Sequence, residues 1–191
     1  MGIGRKQIEQ QIRKGIKGME ELKLVRPSLE HKLQYESMMD EWEAFGGRIN
    51  PGAIRRFNKK QQKNVAYEEW LNLIEDHRRS GQDVYFMLKE NCIIGAISIR
   101  FKRTLQDVGT DGHTGYGIRP SERRKGYASA MLSMALPIMK EYGINPVVIT
   151  CDKENVASAK TIIKNGGKLM EEVIEPGTDG MVQIYYIDLC D

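Results

Sequence analysis

Residues 113–139 constrain the fold more than any other stretch. The β-type run HTGYGIRP closes at Pro120, and a polar loop of five residues follows. From Gly126 the pattern turns helical, with Ala128, Met131, Leu132, Ala135 and Met139 on one face. A strand, a short loop and an amphipathic helix in that order predict an α/β layer. Pro137 falls inside the helix and is expected to kink or shorten it. The first amides of such a helix lack intrahelical partners and form a cradle for an anion. Arg123, Arg124 and Lys125 stand at that end, where positive charge is unfavourable. A bound anion reconciles the two. Gly126 lets backbone approach a ligand closely, and the small Ala128 and Ser129 keep the mouth open. The loop is not a Walker A sequence, since no Gly-Lys-Ser/Thr follows a glycine-rich run, and it is not G-x-G-x-x-G.

The rest of the chain reads as alternating elements. Residues 1–20 are polar and basic, with Ile3, Ile8, Ile12 and Ile16 at four- or five-residue steps, which predicts a short amphipathic arm ahead of a single domain over 21–191. LKLVRPS (22–28) reads as a strand. Ser28 is the expected N-cap of a helix that stops at Gly46-Gly47. Residues 46–64 have little periodicity and carry Arg55, Arg56, Lys59, Lys60 and Lys63, a stretch open to reading as a nucleic-acid patch, a solvated face or a substrate-side flap. A second helix is expected over 66–80, then a hairpin from 83–90 and 92–101 about Glu90-Asn91. A buried strand is expected over 145–152, a helix over 155–167, and a closing hairpin about Gly177 and Gly180. The predicted order is β-α-α-β-β-β-α-β-α-β-β.

Composition excludes several classes. The net charge is only +3, with cations and acids interleaved, so an anion site has to be local. Cys92, Cys151 and Cys190 form no C-x-x-C pair, and with only His31, His77 and His113 beside them there is no zinc-like spacing, so no metal is expected. Reduced thiols point to a cytoplasmic setting. The start MGIGRKQIEQQ has no apolar core of a signal peptide, Lys6 breaks the myristoylation pattern, and no run reaches ~18 apolar residues. Neither membrane nor nucleic acid is expected as a partner. Met38, Met39, Met131, Met134 and Met139 are expected as core filler.

RRKGYA (123–128) fits the signature Q/R-x-x-G-x-G/A, and YGIRPSERRKGYASAML resembles the strand, proline turn, signature and helix of the GNAT superfamily of N-acetyltransferases. ITCDKENVASAKTIIKNGGKL resembles that superfamily's second half. The resemblance covers roughly 22–189 and is specific over 113–168. It implies a mixed, mostly antiparallel twisted α/β (α+β) sheet flanked by helices and splayed at a central parallel strand pair. It implies acetyl-CoA as co-substrate, with its pyrophosphate on Arg123, Arg124, Lys125, Gly126, Tyr127 and Ala128, helped by the Ser129 hydroxyl. Ile118 and its neighbour Arg119 would lend backbone groups to the pantetheine arm as to an added strand, and Asn155 and Ser158 would face the thiol end. Residues 29–80, including Trp42 and Trp70, would build the acceptor pocket.

The implied chemistry is direct attack of a primary amine on the thioester. A lysine-like amine has a pKa near ~10.4, so only about one in 10³ is neutral at pH 7 and its proton needs an acceptor. Many relatives carry a tyrosine seven residues after the helix-opening Asn as acid for the thiolate. Here that place is Ile162. The candidate catalytic groups are His113, whose type suits a base, and Tyr116; Asp111 and Cys151 compete against the readings of a turn and a buried structural thiol. Glu36, Asp40, Glu41 and Glu43 either receive a cationic amine or form a solvated face. Two readings stay open: an N-acetyltransferase acting on a small-molecule or peptide amine, monomeric or homodimeric, and a GNAT-like module that binds acetyl-CoA or CoA without transfer.

Overall fold

The computed structural model describes residues 22–58, 63–107, 109–175 and 177–190. The expected N-terminal arm lies outside them. Strands are β1 (Leu22–Val25), β2 (Phe57–Asn58), β3 (Lys63–Asn64), β4 (Gln82–Lys89), β5 (Cys92–Arg100), β6 (Thr114–Ile118), β7 (Val147–Asp152), β8 (Lys168–Ile174) and β9 (Met181–Ile187). Helices are α1 (Lys32–Phe45), α2 (Tyr67–Ser80), α3 (Tyr127–Glu141) and α4 (Val156–Lys164). The predicted order holds, with one addition: the aperiodic basic stretch contains the small β2–β3 hairpin. α3 runs on through Pro137 to Glu141 instead of stopping there.

The strands form two main sheets, β1-β4-β5-β6 and β7-β9-β8, and every ladder among the described residues is antiparallel. β6 and β7 share no ladder. They meet at their starts, where the His113 N–H donates to Val148 O (2.8 Å) and the Val148 N–H donates to His113 Nδ1 (2.9 Å). The expected split between the central strands is this break between the sheets.

Period-two alternation sends alternate residues of the first sheet into two cores. Met87, Ile97, Ile99 and Ile118 pack with Met131, Leu132, Ala135 and Met139 of α3 and with Val147, Ile149 and Ile162. The opposite face packs Phe86 and Ala96 against Tyr35, Met38, Met39 and Trp42 of α1 and Trp70 of α2. The methionines at 38, 39, 131 and 139 are buried core filler, as expected, and Met134 packs partly buried against the α3-side core. In the second core the Tyr35 and Trp70 rings stack at 5.0 Å, and their polar ends reach outward. Tyr35 Oη donates to Ile54 O (2.6 Å), and Trp70 Nε1 donates to Ala53 O (3.1 Å). Those bonds hold the 52–54 turn and seat Asn50-Pro51 on β6. Gly117 makes that seat possible: a Cβ there would stand 2.1 Å from Asn50 O. The far end of α3 is fixed by buried Asp83, which accepts from Arg26, Tyr85 and Tyr142. Its N-terminus is thereby aimed at the split.

Candidate functional site

The loop between β6 and α3 is tied down from α1. Glu41 accepts from Arg119 Nε (2.7 Å), the Ser121 N–H (2.6 Å) and Ser121 Oγ (3.1 Å). Burial works to raise the Glu41 pKa, but these donors outweigh it and hold the carboxyl below its ordinary value. Arg123 is a second strut. Its Nε donates to Ile118 O (3.0 Å), and its guanidinium lies over the Phe45 and Trp42 rings, 4.7 and 5.6 Å from their centroids. Lys125 pairs with Glu122 at 3.1 Å. Of the three loop cations, Arg124 is thus the exposed one, with neither strut nor ion pair among the described residues; it sits at φ 65.

Past these struts the backbone opens. Gly126 caps α3 at φ 85, in the left-handed region, and no side chain caps the helix. The first helical bonds to Gly126 O come from the Ser129 and Ala130 amides. The amides ahead of them, those of Gly126 and Ala128 included, point out of the helix end. Two left-handed residues, Arg124 and Gly126, fold the intervening backbone into a concave nest. A Cβ on Gly126 would meet no protein atom within 4 Å. Glycine there serves the turn and an open approach rather than internal packing, and a diphosphate fits the donor set.

Below the loop lies the split. Arg100 N–H donates to His113 O and Arg119 N–H to Ile94 O, so odd-numbered β6 residues turn their backbone toward β5. The backbone of Tyr116 and Ile118 faces the split, though Ile118 O is taken by Arg123. Arg119, by contrast, spends its N–H on β5 and its guanidinium on Glu41 and Ile93 O. Its geometry is that of a brace.

At the floor of the split Tyr116 Oη and Ser158 Oγ are 3.1 Å apart. Burial pushes the Tyr116 phenol up to about 12, so it is a donor at neutral pH. Burial pushes the Cys151 thiol up as well, only partly offset by Ser158, which leaves it a poor nucleophile. Asn155 caps α4 by accepting the Ser158 N–H at Oδ1 (3.1 Å) and so fixes the serine. Asn165, at the other end of α4, donates to Ser129 O and Oγ (both 3.2 Å) and joins the two helices. Ile162 is fully buried in the core.

His113 is brought to the closed end of the split. It is 2% exposed, Nδ1 accepts from Val148 N–H, and Nε2 faces Arg103 O at 3.3 Å. Burial holds its pKa below the ordinary value, so the ring is a neutral clip between the sheets with both nitrogens engaged. Its geometry is that of a positioning residue and not of an available base.

Sequence reasoning missed Glu41 as loop anchor. The only signal was its place among four acids on one helix, which gave no hint that it meets a turn 78–80 residues away.

Fold and geometry define a split-sheet α/β domain with an uncapped, concave helix end at the mouth of the split. The family model described as the acetyltransferase (GNAT) domain matches residues 28–168. The chain belongs to that family. Solved structures with the same fold include yncA from Salmonella typhimurium, a putative acetyltransferase with its cofactor acetyl-CoA (13% identity, 89% of this chain and 95% of that one, TM-score 0.60). Another is RimL, a ribosomal L7/L12 alpha-N-protein acetyltransferase in complex with coenzyme A (17%, 90% and 95%, TM-score 0.62). A third is the microcin C7 self-immunity acetyltransferase MccE in complex with acetyl-CoA and AMP (16%, 90% and 94%, TM-score 0.61). No curated protein matches the sequence. No helix among the described residues is long and apolar enough to cross a membrane.

Proposed function

We propose that the protein is an acetyl-CoA-dependent N-acetyltransferase that transfers to a primary amine by direct attack in a ternary complex. The observation that carries this reading is the uncapped end of α3 at Gly126, open above a split floored by the Tyr116–Ser158 pair. The amides from Lys125 to Ala128 and the Arg124 side chain would hold the pyrophosphate, with Ser129 Oγ adding a donor. Tyr116 and Ile118 would offer backbone to the pantetheine arm. Lys125 and Arg123 act mainly by holding the loop, and Arg119 by bracing it to Glu41.

Bound acetyl-CoA supplies an activated acetyl thioester. The chain's own residues place the amine and move protons. Ser158 Oγ–H, fixed by Asn155 and backed by Tyr116 Oη–H, is the donor for a leaving thiolate; a thiol of pKa about 8.5 needs little help. This pair stands in for the absent tyrosine at Ile162. Among the described residues, no side chain at the floor is a free base: His113 has both nitrogens engaged, and the Tyr116 phenol stays protonated. The amine's proton therefore leaves through water. The Tyr116–Ser158 pair favours transfer over binding alone, since a mere binding module gains nothing from a proton donor beside the thiol.

The test is thiol release from acetyl-CoA with a panel of primary amines, with the acetylated products read by mass spectrometry. Amine-dependent release supports the reading. Acetyl-CoA binding without transfer to any amine class would leave a non-catalytic module.

A further inference from the structure

Two asparagines bracket α4, and each holds a serine at its own end of the helix. Asn155 fixes Ser158 at the floor of the split. Asn165, the C-cap of α4, reaches instead to Ser129 in the first turn of α3. The amide of Asn165 is oriented by its partners. Its nitrogen lies 2.9 Å from Thr161 O and 3.2 Å from Ser129 O, and a backbone carbonyl only accepts. Nδ2 is therefore the atom turned to α3. Ser129 Oγ stands 3.2 Å from the same nitrogen, which donates and does not accept. The hydroxyl oxygen accepts there, and its own proton is directed elsewhere.

That proton is unspent. In α4 the Thr161 hydroxyl donates to Ala157 O, four residues behind (2.9 Å), as helical hydroxyls commonly do. Ser129 Oγ makes no such bond, and it donates to no protein acceptor among the described residues. Ser129 belongs to the turn in which the amides ahead of its own are also open, just past Gly126. The helix end thus offers an oriented O–H beside its free N–H groups.

We propose that Asn165 is a positioning residue for the cofactor: by donating to the Ser129 oxygen, it leaves the Ser129 proton to the pyrophosphate. The inference rests on the acetyl-CoA reading above. Asn165 needs no contact with the ligand, because its effect passes through Ser129. Without this partner the hydroxyl is free to turn back to Gly126 O or to water, and the donor is lost from part of the population. A hydrogen bond to a charged acceptor is among the stronger ones, so the loss registers in affinity. α4 then serves both ends of the cofactor, with Asn155 acting through Ser158 and Asn165 through Ser129.

The experiment measures the acetyl-CoA Kd by calorimetry in wild type, Ser129→Ala, Asn165→Asp, Asn165→Leu and the two double variants. Ser129→Ala is expected to weaken wild-type binding about five- to tenfold. Aspartate at 165 keeps the shape of asparagine but accepts, so it takes the Ser129 proton for itself. Asn165→Asp should therefore weaken binding at least as much as Ser129→Ala does, and adding Ser129→Ala to it should cost less than about twofold more. Asn165→Leu should fall between wild type and Asn165→Asp. A residue that only ties α3 to α4 would lower Tm when replaced and leave the Ser129→Ala penalty at its wild-type size. That additive result overturns the proposal, as does a wild-type Kd in Ser129→Ala or in Asn165→Asp. If Asn165→Asp fails to fold, the Asn165→Leu cycle decides, and there the Ser129→Ala penalty should shrink by about half or more. No binding by wild type instead marks the failure of the acetyl-CoA reading, and this inference falls with it; normal wild-type binding with additive variants sinks this inference alone.

Discussion

Replacing His113 by alanine tests whether that residue is the clip that holds the two sheets at the closed end of the split. The ring is 2% exposed and accepts the Val148 N–H at 2.9 Å, and a 3.3 Å contact to Arg103 O adds little. Alanine leaves the Val148 amide buried without that acceptor, which costs about 1–3 kcal/mol. The space left by the ring adds to this, so about 3 kcal/mol is expected, or a fall in Tm of about 6–12 °C for a chain of this size. Asparagine, whose carbonyl oxygen can replace Nδ1 as acceptor, should recover about half of the loss. The pH dependence follows from the direction of the shift. Burial lowers the folded pKa below the ordinary 6.5, so the unfolded chain binds the proton more readily. His113 thus contributes stability that is fully present above about pH 6.5 and is lost as pH falls through the folded pKa, at no more than about 1.4 kcal/mol per pH unit. Urea unfolding at pH 7.5 and 5.5 should show this loss in wild type and a smaller one in His113→Asn. Unchanged stability in His113→Ala, with kcat collapsing and its acid limb removed, would refute the clip and restore His113 as a base.

Other perturbations separate the remaining roles. Glu41→Ala removes three bonds to the loop and should weaken acetyl-CoA binding about tenfold by calorimetry, although Glu41 itself faces away from the cradle; an unaltered Kd would mean that the loop holds its shape alone. Ser158→Ala should lower kcat about 10- to 100-fold with the acetyl-CoA Kd within twofold, whereas Tyr116→Phe should cost less than tenfold; equal rates in the serine variant would remove it as donor. Gly117→Ala places a methyl onto Asn50 O and should cost about 1–3 kcal/mol in thermal unfolding. A variant as stable as wild type would show that the Asn50-Pro51 segment does not rest on β6.

The order of elements was legible because period-two and period-3.6 patterns are local, and each survives in the structure from β4 through β9. The uncapped helix end was legible for the same reason: strand, proline turn, basic loop and glycine lie within one short window. The roles inside the site were not. Arg119, Arg123 and Lys125 look alike in sequence, yet one braces Glu41, one lies over Phe45 and Trp42, and one pairs with Glu122. Those partners are set by how α1 packs on the first sheet, and no spacing along the chain records it. His113 has the residue type of a base, but its task is decided by Val148, 35 residues away. Tyr116 and Ser158 are 42 residues apart and meet only because the sheets part where they do.

The most direct test of the account is calorimetric titration of the wild-type protein with acetyl-CoA, beside Gly126→Val. Valine at φ 85 is strained and projects its methyls into the cradle, where no protein atom stands within 4 Å of the Cβ position. The account predicts a wild-type Kd near the micromolar range, about −8 kcal/mol, and no measurable binding by the folded variant. Equal affinity in both proteins, or no heat from wild type at high ligand concentration, would contradict it.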